Sequence, residues 1–251
     1  MVCHQRREAR RAFARGYPRR LGAVRSCGTP QSVERLLAAR LVDAVVVDVK
    51  AASDVWLALP ARFPRIPVFA LSAFRPEDGP LIAECQRAGF AGVLVEPVDH
   101  AVAGEWVARR TAQAARRQAL GDAPRLLRLT DPLQLRVWEE VWRRVAEPTK
   151  TCDLARALRV TREHLSRQFA AGGAPNLKRV IDLVRTACAA DLLGNPGYTV
   201  ACVARILAYA SASHLAGAAR RVAGVSSQDL RALGPRGVLA AFVKGRTRSR
   251  L

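Results

Sequence analysis

Near its C-terminus the chain writes one short pattern twice, and this duplication restricts the fold more than any other feature. Residues 154–169 read LARALRVTREHLSRQF, and residues 203–221 read VARILAYASASHLAGAARR. Each copy opens on an apolar residue followed by alanine (Leu154-Ala155, Val203-Ala204). Each reaches a His-Leu pair, His164-Leu165 after 10 residues and His214-Leu215 after 11. A short helix, a tight turn and a second helix fit each copy, the geometry that places a second helix in a DNA major groove. Any two amphipathic helices can imitate this once; two copies in one chain are far harder to produce by accident.

Charge points the same way. The 251 residues carry 41 Lys+Arg against 21 Asp+Glu, a net +20. The excess is present in both halves: 19 basic and 11 acidic groups up to residue 120, and 22 and 10 after it. Such a balance attracts phosphate backbones through counterion release. Arg outnumbers Lys 37 to 4 and Ala is very frequent, so GC-rich coding accounts for part of the excess.

No apolar run approaches the ~18 residues of a membrane span, and the charged start MVCHQRREARRAFARG is no signal peptide. The six cysteines (Cys3, Cys27, Cys85, Cys152, Cys188, Cys202) form no CxxC pair and read as reduced thiols of a cytoplasmic protein. A zinc site from Cys152, Cys188, Cys202 and a histidine matches no ligand spacing. No metal and no cofactor are expected.

The N-terminal half alternates short apolar runs at 21–27, 43–49, 66–72 and 91–96 with amphipathic stretches at 31–40, 52–63, 78–89 and 99–119. This alternation predicts a parallel sheet covered on both faces. The runs VDAVVVD (42–48), IPVFALSAF (66–74) and GVLVEPVD (92–99) resemble the third, fourth and fifth strands of response-regulator receiver domains. The resemblance spans roughly residues 6–119 and puts Asp48 at the phospho-acceptor position and Ser72 at the Ser/Thr position. It also implies features that this chain lacks. The acidic pair that holds Mg²⁺ is missing, since only Glu8 and Glu34 precede Asp43 and neither follows an apolar strand. Glu96 stands where the family has its phosphate-neutralising lysine. An added carboxylate opposes a phosphoryl dianion, so Asp48 is expected to end a strand rather than accept phosphate. No first strand is found ahead of the basic helix at 6–15, where only Met1-Val2-Cys3 could supply a stub. Either the sequence begins downstream of its natural start, or a four-stranded sheet has an exposed internal edge.

In the C-terminal half, GDAPRLLRLTDP (121–132) reads as a connector, with Asp131 capping a helix that starts at Pro132. Leu135, Trp138, Val141, Trp142 and Val145 form its core stripe. Further helices are expected at 151–158, 162–171, 176–193, 200–207, 212–222 and 227–232, the long 176–193 segment joining the two units rigidly. The expected fold class is therefore an α/β parallel-sheet, flavodoxin- or receiver-like N-terminal domain plus an all-α C-terminal domain with two helix-turn-helix units. Its boundaries are 1–120, a linker at 121–130, 131–235, and a basic tail at 236–251, whose VKGRTRSRL end lacks periodicity and reads as disordered.

Residues 131–233 resemble the arabinose-regulator (AraC) family of transcription factors. The carriers are Thr161-Arg-Glu-His-Leu-Ser-Arg-Gln-Phe169, the second unit's extra residue, and Gly224-Val-Ser-Ser-Gln-Asp-Leu-Arg231 against the family's Gly-x-Ser-Pro-x-x-x-Arg. The resemblance implies base-reading positions at Glu163, Ser166 and Arg167, with Arg162 near the backbone, and at Ser213, His214, Ala216 and Gly217. Arg167 suits a guanine O6/N7 edge and Glu163 a cytosine amino group; alternatively the two form an exposed (i, i+4) ion pair. Ala216 and Gly217 have no hydrogen-bonding side chain, so Ser211, Ser213, His214, Arg220 and Arg221 are expected to hold phosphates instead. Thr161 and His164 complete the candidate DNA-binding residues, the two histidines reading equally well as surface neighbours of a buried leucine. Both turns carry a non-glycine residue, Arg159 and Ala208, where the family has Gly.

The chain is thus expected to be a DNA-binding transcription regulator and not an enzyme, since GxSxG, GxxxxGK[ST] and HExxH motifs are all missing. Its partners would be double-stranded DNA and a second copy paired through the N-terminal domain, with no membrane. The competing reading is an adaptor whose two domains bind protein rather than DNA.

Overall fold

The computed structural model describes residues 1–248, less the side chains of 170, 171 and 246–248. The chain divides into two compact units, Met1–Ala115 with Asn195–Gly197, and Arg116–Gly194 with Tyr198–Leu251.

The first unit is a five-stranded parallel sheet: β1 (Val2–Cys3), β2 (Ser26–Cys27), β3 (Val45–Val47), β4 (Val68–Ser72) and β5 (Gly92–Val95), in the order β2-β1-β3-β4-β5. Between the strands run α1 (Arg7–Gly16), α2 (Pro30–Ala39), α3 (Ser53–Leu57), α4 (Leu59–Arg62) and α5 (Gly79–Arg87); α6 (His100–Ala108) follows β5. The apolar runs become strands because they are buried on both faces, and β3 and β4 are buried along their whole length. Thr29 caps α2, its side chain accepting from the Ser32 amide, with Pro30 in the first turn. Phe13 of α1 and Ala103 and Val107 of α6 cover one sheet face, over Val2, Val46, Phe69 and Leu94.

The missing first strand is a correction. Met1-Val2-Cys3 is that strand, central and hydrogen-bonded on both sides: Val2 N to Arg25 O and His4 N to Cys27 O, Val46 N to Met1 O and Asp48 N to Cys3 O. A two-residue strand holds because both neighbours complete its ladder and Val2 and Cys3 are almost fully buried. No β-branched run was needed, which is why the sequence pattern did not show it. The sheet is five-stranded and has no exposed internal edge.

The second unit is helical: α7 (Ala112–Ala119, entering from the first unit), α8 (Ala123–Leu126), α9 (Pro132–Arg143), α10 (Thr151–Leu158), α11 (Arg162–Ala170), α12 (Leu177–Leu193), α13 (Val200–Ile206), α14 (Ala212–Ala223) and α15 (Leu230–Arg248). Asp131 caps α9 as expected, accepting from the Leu133 amide at 2.7 Å. Trp138, Val141, Trp142 and Val145 are buried, whereas Leu135 is 41% exposed and Val137 and Gln134 take the inward positions. The helix rotates inward at Gln134 because its amide donates to the Phe169 carbonyl at 3.0 Å, and its oxygen accepts from the Thr130 amide.

Three further expectations change. The 99–119 stretch is two helices, α6 and α7. The expected linker contains α8, anchored by buried Ala123, Leu127 and Leu129. The tail is helical as far as Arg248: α15 kinks at Gly234 (φ 59°, ψ −179°) before Pro235, then continues. Val238, Leu239 and Phe242 bury its inner face, an i, i+1, i+4 apolar set that outweighs the basic residues around it. Positions 249–251 lie outside the described residues.

Candidate nucleic-acid interface

The two copies share the same sequence of turn and cap hydrogen bonds. In the first, α10 ends in a left-handed residue, Arg159 (φ 57°, ψ 45°), and the Val160 amide reaches back to the Ala155 carbonyl at 3.0 Å. In the second, Ala208 (φ 53°) occupies the same place after α13, and the Tyr209 amide reaches the Ala204 carbonyl at 2.8 Å. This five-back hydrogen bond over a left-handed residue is the Schellman turn, which normally carries glycine. Each following helix is then capped by a hydroxyl. Thr161 Oγ1 accepts from the His164 amide at 3.1 Å, and Ser211 Oγ from the His214 amide at 3.0 Å.

Below each cap the helix is pinned by its apolar side. Leu165 and Phe169 of α11 are buried, as are Leu215, Ala218, Ala219 and Val222 of α14. Facing outward on α11 are Arg162, Glu163, His164, Ser166 and Arg167, all exposed. Among the described residues Glu163 and Arg167 make no ion pair with each other, so both heads remain open to a partner. Gln168 donates to the Asp131 carboxylate at 3.0 Å and ties α11 to the cap of α9. That hydrogen bond, followed by the one from Leu133, holds Asp131 below the usual carboxylate range.

The outer face of α14 is different. Ser211, Ser213, His214 and Arg220 are exposed, but Ala216 and Gly217 leave a shallow smooth stretch between them. The His214 ring stands edge-on to Tyr209 at 6.0 Å between centroids, and Arg185 covers that tyrosine at 4.3 Å. Arg221 leans toward α12, with Nη2 3.9 Å from Asp182 Oδ2, although both side chains remain partly exposed. A Cβ on residue 217 would come within 3.3 Å of the Arg221 guanidinium, so glycine leaves room for that path. Gly224 (φ 71°) ends α14, and Ser226 caps the next turn through Asp229 N at 3.2 Å. All eleven candidate DNA-binding residues thus lie on the caps and outward turns of α11 and α14.

Residues 154–232 match the family model of a helix-turn-helix domain. The matched segment begins at the first residue of the duplicated pattern and ends two residues before the kink at Gly234, so both units fall within this helix-turn-helix domain match. No curated protein matches the chain, and no solved structure does. Among the described residues no helix is long and apolar enough to cross a membrane.

The sheet of the first unit gathers a second cluster, which the sequence showed only in part. The strand order reverses at β1, and residues after β1, β3 and β5 meet beyond the strand ends. His4 Nε2 lies 3.4 Å from Asp48 Oδ2 and 3.2 Å from Glu96 Oε2. Ser72 donates to Asp48 at 2.7 Å, His100 Nε2 is 2.9 Å from Glu96 Oε1, and Arg6 also pairs with Glu96. Burial works against ionising Glu96, but the His100 hydrogen bond, the His4 ring and Arg6 together hold its carboxyl below the ordinary range. His4 was invisible to sequence reasoning because the strand positioning it was read as a stub. Its Nδ1 accepts from the Arg6 amide at 3.0 Å. The donors here do not suit Mg²⁺, which favours oxygen ligands: His4 and Gln5 follow β1 where an acidic pair would be needed, and the His4 ring fills the space between the two carboxylates.

Proposed function

We propose that the chain is a sequence-specific, double-stranded-DNA-binding transcription regulator of the AraC type, with a non-phosphorylated pseudo-receiver domain. The carrying observation is the repeated Schellman turn, hydroxyl cap and buried leucine, which sets one polar helix face outward in each copy. The helix-turn-helix match over the same residues supports it. In this reading α11 reads bases through Glu163, Ser166 and Arg167, while Thr161, Arg162 and His164 set its approach to the backbone. The α14 helix anchors phosphates through Ser211, Ser213, His214, Arg220 and Arg221, because its centre offers no hydrogen-bonding side chain.

The pseudo-receiver part rests on the charge pattern around Asp48. Its carboxylate already accepts from Ser72 and faces His4, and a phosphoryl dianion there would oppose Glu96. In this reading the domain signals by contact, as a homodimer, rather than by phosphorylation. Incubation with acetyl phosphate and Mg²⁺ is expected to leave the intact mass unchanged; an increase mapping to Asp48 would refute it.

The deciding experiment is selection of random duplex DNA by the full chain at two salt concentrations. The expected result is an enriched motif confined to one half-site, with weaker retention at higher salt. Retention without enrichment, or none, would remove the base-reading role of α11 and favour an adaptor that binds protein.

A further inference from the structure

A thiol pair lies on the first unit, beside the Asp48 cluster: Cys3 immediately precedes His4, and its carbonyl accepts from the Asp48 amide. Cys3 and Cys27 are register partners on the adjacent parallel strands β1 and β2. Neighbouring strands run about 4.8 Å apart, within the roughly 4.4–6.8 Å between Cα atoms that a disulfide spans. Register partners project from the same sheet face, and the Cys27 thiol donates to the Val2 carbonyl at 3.6 Å. Cys3 is buried and Cys27 partly exposed. Cys27 opens into a cavity of about 330 Å³ that it lines with Arg7, Arg10, Arg11, Ser26 and Gly28. Arg10 is fixed over this cavity by the His4 and Gln5 carbonyls.

We propose that Cys3 and Cys27 form a peroxide-oxidisable pair, in which Cys27 is the attacking thiolate and Cys3 the resolving thiol that closes a disulfide between β1 and β2. The asymmetry has physical causes. The neighbouring Cys3 thiol, then the Met1 amino group and Arg10, hold Cys27 below the usual thiol range although burial opposes this, while the Cys27 neighbour and burial push Cys3 up. Accessible low-pKa thiols beside a second cysteine are the ones that oxidise selectively. In the first step Cys27 sulfur attacks one peroxide oxygen; the S–O bond forms, the O–O bond breaks, and the departing hydroxide takes a proton to become water. In the second step Cys3 sulfur attacks the sulfenic sulfur; the S–S bond forms, the S–O bond breaks, and the Cys3 proton leaves with the second water. Two thiols are oxidised by two electrons in total and one hydrogen peroxide is reduced to two waters, the first water taking the proton given up by Cys27 and the second that of Cys3.

The disulfide would tie the edge strand covalently to the central strand, one residue before His4. The proposal does not depend on DNA binding. It is tested on the folded full chain by adding a few equivalents of hydrogen peroxide, blocking free thiols with iodoacetamide, and mapping tryptic peptides. The expected product joins the peptide ending at Arg6 to residues 26–35, disappears on reduction, and forms before exposed Cys152 is consumed. In Cys3→Ser, Cys27 has no resolving partner and is expected to accumulate as sulfinic acid. Arg10→Ala, which removes the side-chain cation acting on Cys27 without altering either thiol, is expected to slow Cys27 alkylation severalfold, and an unchanged rate would overturn its role as the attacking thiolate. Recovery of Cys3 and Cys27 as free thiols while Cys152 oxidises would overturn the proposal. So would a Cys3–Cys27 product that forms only after urea unfolding.

Discussion

Ala208 holds a backbone conformation that alanine disfavours, and relieving it has a calculable effect. At φ 53° the residue sits in the left-handed region, which costs a non-glycine residue about 1–2 kcal/mol. Glycine removes that cost but widens the unfolded ensemble, a loss of roughly 0.4–1 kcal/mol. The Ala208 methyl is not part of the buried core, so no packing term offsets the gain. Ala208→Gly is therefore expected to stabilise the helical unit by about 0.5–1 kcal/mol, raising its melting temperature by roughly 2–4 °C. Arg159→Gly repeats the experiment in the first turn, and the two effects are expected to add because the turns share no partner.

Thermal unfolding followed by helical circular dichroism measures the shift, and hydrogen exchange at α12 and α14 amides assigns it to the helical unit. Ala157→Gly, at an exposed position inside α10, is the matched control and is expected to destabilise by about 1 kcal/mol. If Ala208→Gly instead lowers stability as the control does, the second turn is not left-handed in solution. The equivalence of the two copies would then fail with it. Ala208→Asn gives an independent check, since asparagine tolerates this region better than alanine.

Three other outcomes follow from the same geometry. Arg167→Ala is expected to cost about 1–3 kcal/mol on the preferred DNA and to relax preference at one base, whereas Arg220→Ala weakens all sequences alike and lowers the salt slope by about 1; equal losses on selected and random duplexes for both would refute the division between α11 and α14. Glu96 is held below its unfolded pKa, so its stabilisation is complete above the ordinary glutamate value and is lost as pH falls through the lower folded value. Glu96→Gln is accordingly expected to flatten the acid limb of the first unit's stability curve, and an unchanged limb in acid titrations would exclude the His4–Glu96–His100 arrangement. Gly104→Ala is expected to destabilise the first unit by about 1–3 kcal/mol in urea unfolding, because a Cβ there overlaps the Gly16 carbonyl where α1 crosses α6.

How much the sequence disclosed depended on whether information was spread along a segment or concentrated in a few contacts. Strands β3 and β4, the Asp131 cap and the paired helices of the two copies are written in runs and spacings, and they were legible. Strand β1 is two residues long and exists through hydrogen bonds to partners 23 and 45 residues further along the chain, which no local window contains. The same omission hid His4, since its place between Asp48 and Glu96 follows from the strand it ends. Helix α15 was missed for a different reason. Its Val238, Leu239 and Phe242 were outweighed by the basic residues that follow, although these three buried apolar groups hold the helix that runs to Arg248. The outward residues of α11 and α14 were legible from the family resemblance, but the lean of Arg221 toward Asp182 was not, because its partner lies on α12, 39 residues earlier in the chain.

The inequality between the copies is the main argument about how such a protein would select DNA. Both helices are held by the same cap and the same buried leucine, so their orientation costs are alike. What differs is the chemistry presented. On the proposed reading, a helix offering Glu163, Ser166 and Arg167 would distinguish base pairs by donor and acceptor pattern, with each bidentate contact worth about 1–3 kcal/mol. A helix centred on Ala216 and Gly217 would distinguish far less, yet its neighbouring serines, His214 and Arg220 would still gain from any phosphate path. Restoring side chains there gives the converse test. Ala216→Arg, placed one position past the buried Leu215, is expected to add a base preference in the second half-site while leaving the first half-site motif unchanged. An unchanged motif with uniformly tighter binding would mean that α14 meets the backbone and not the groove floor.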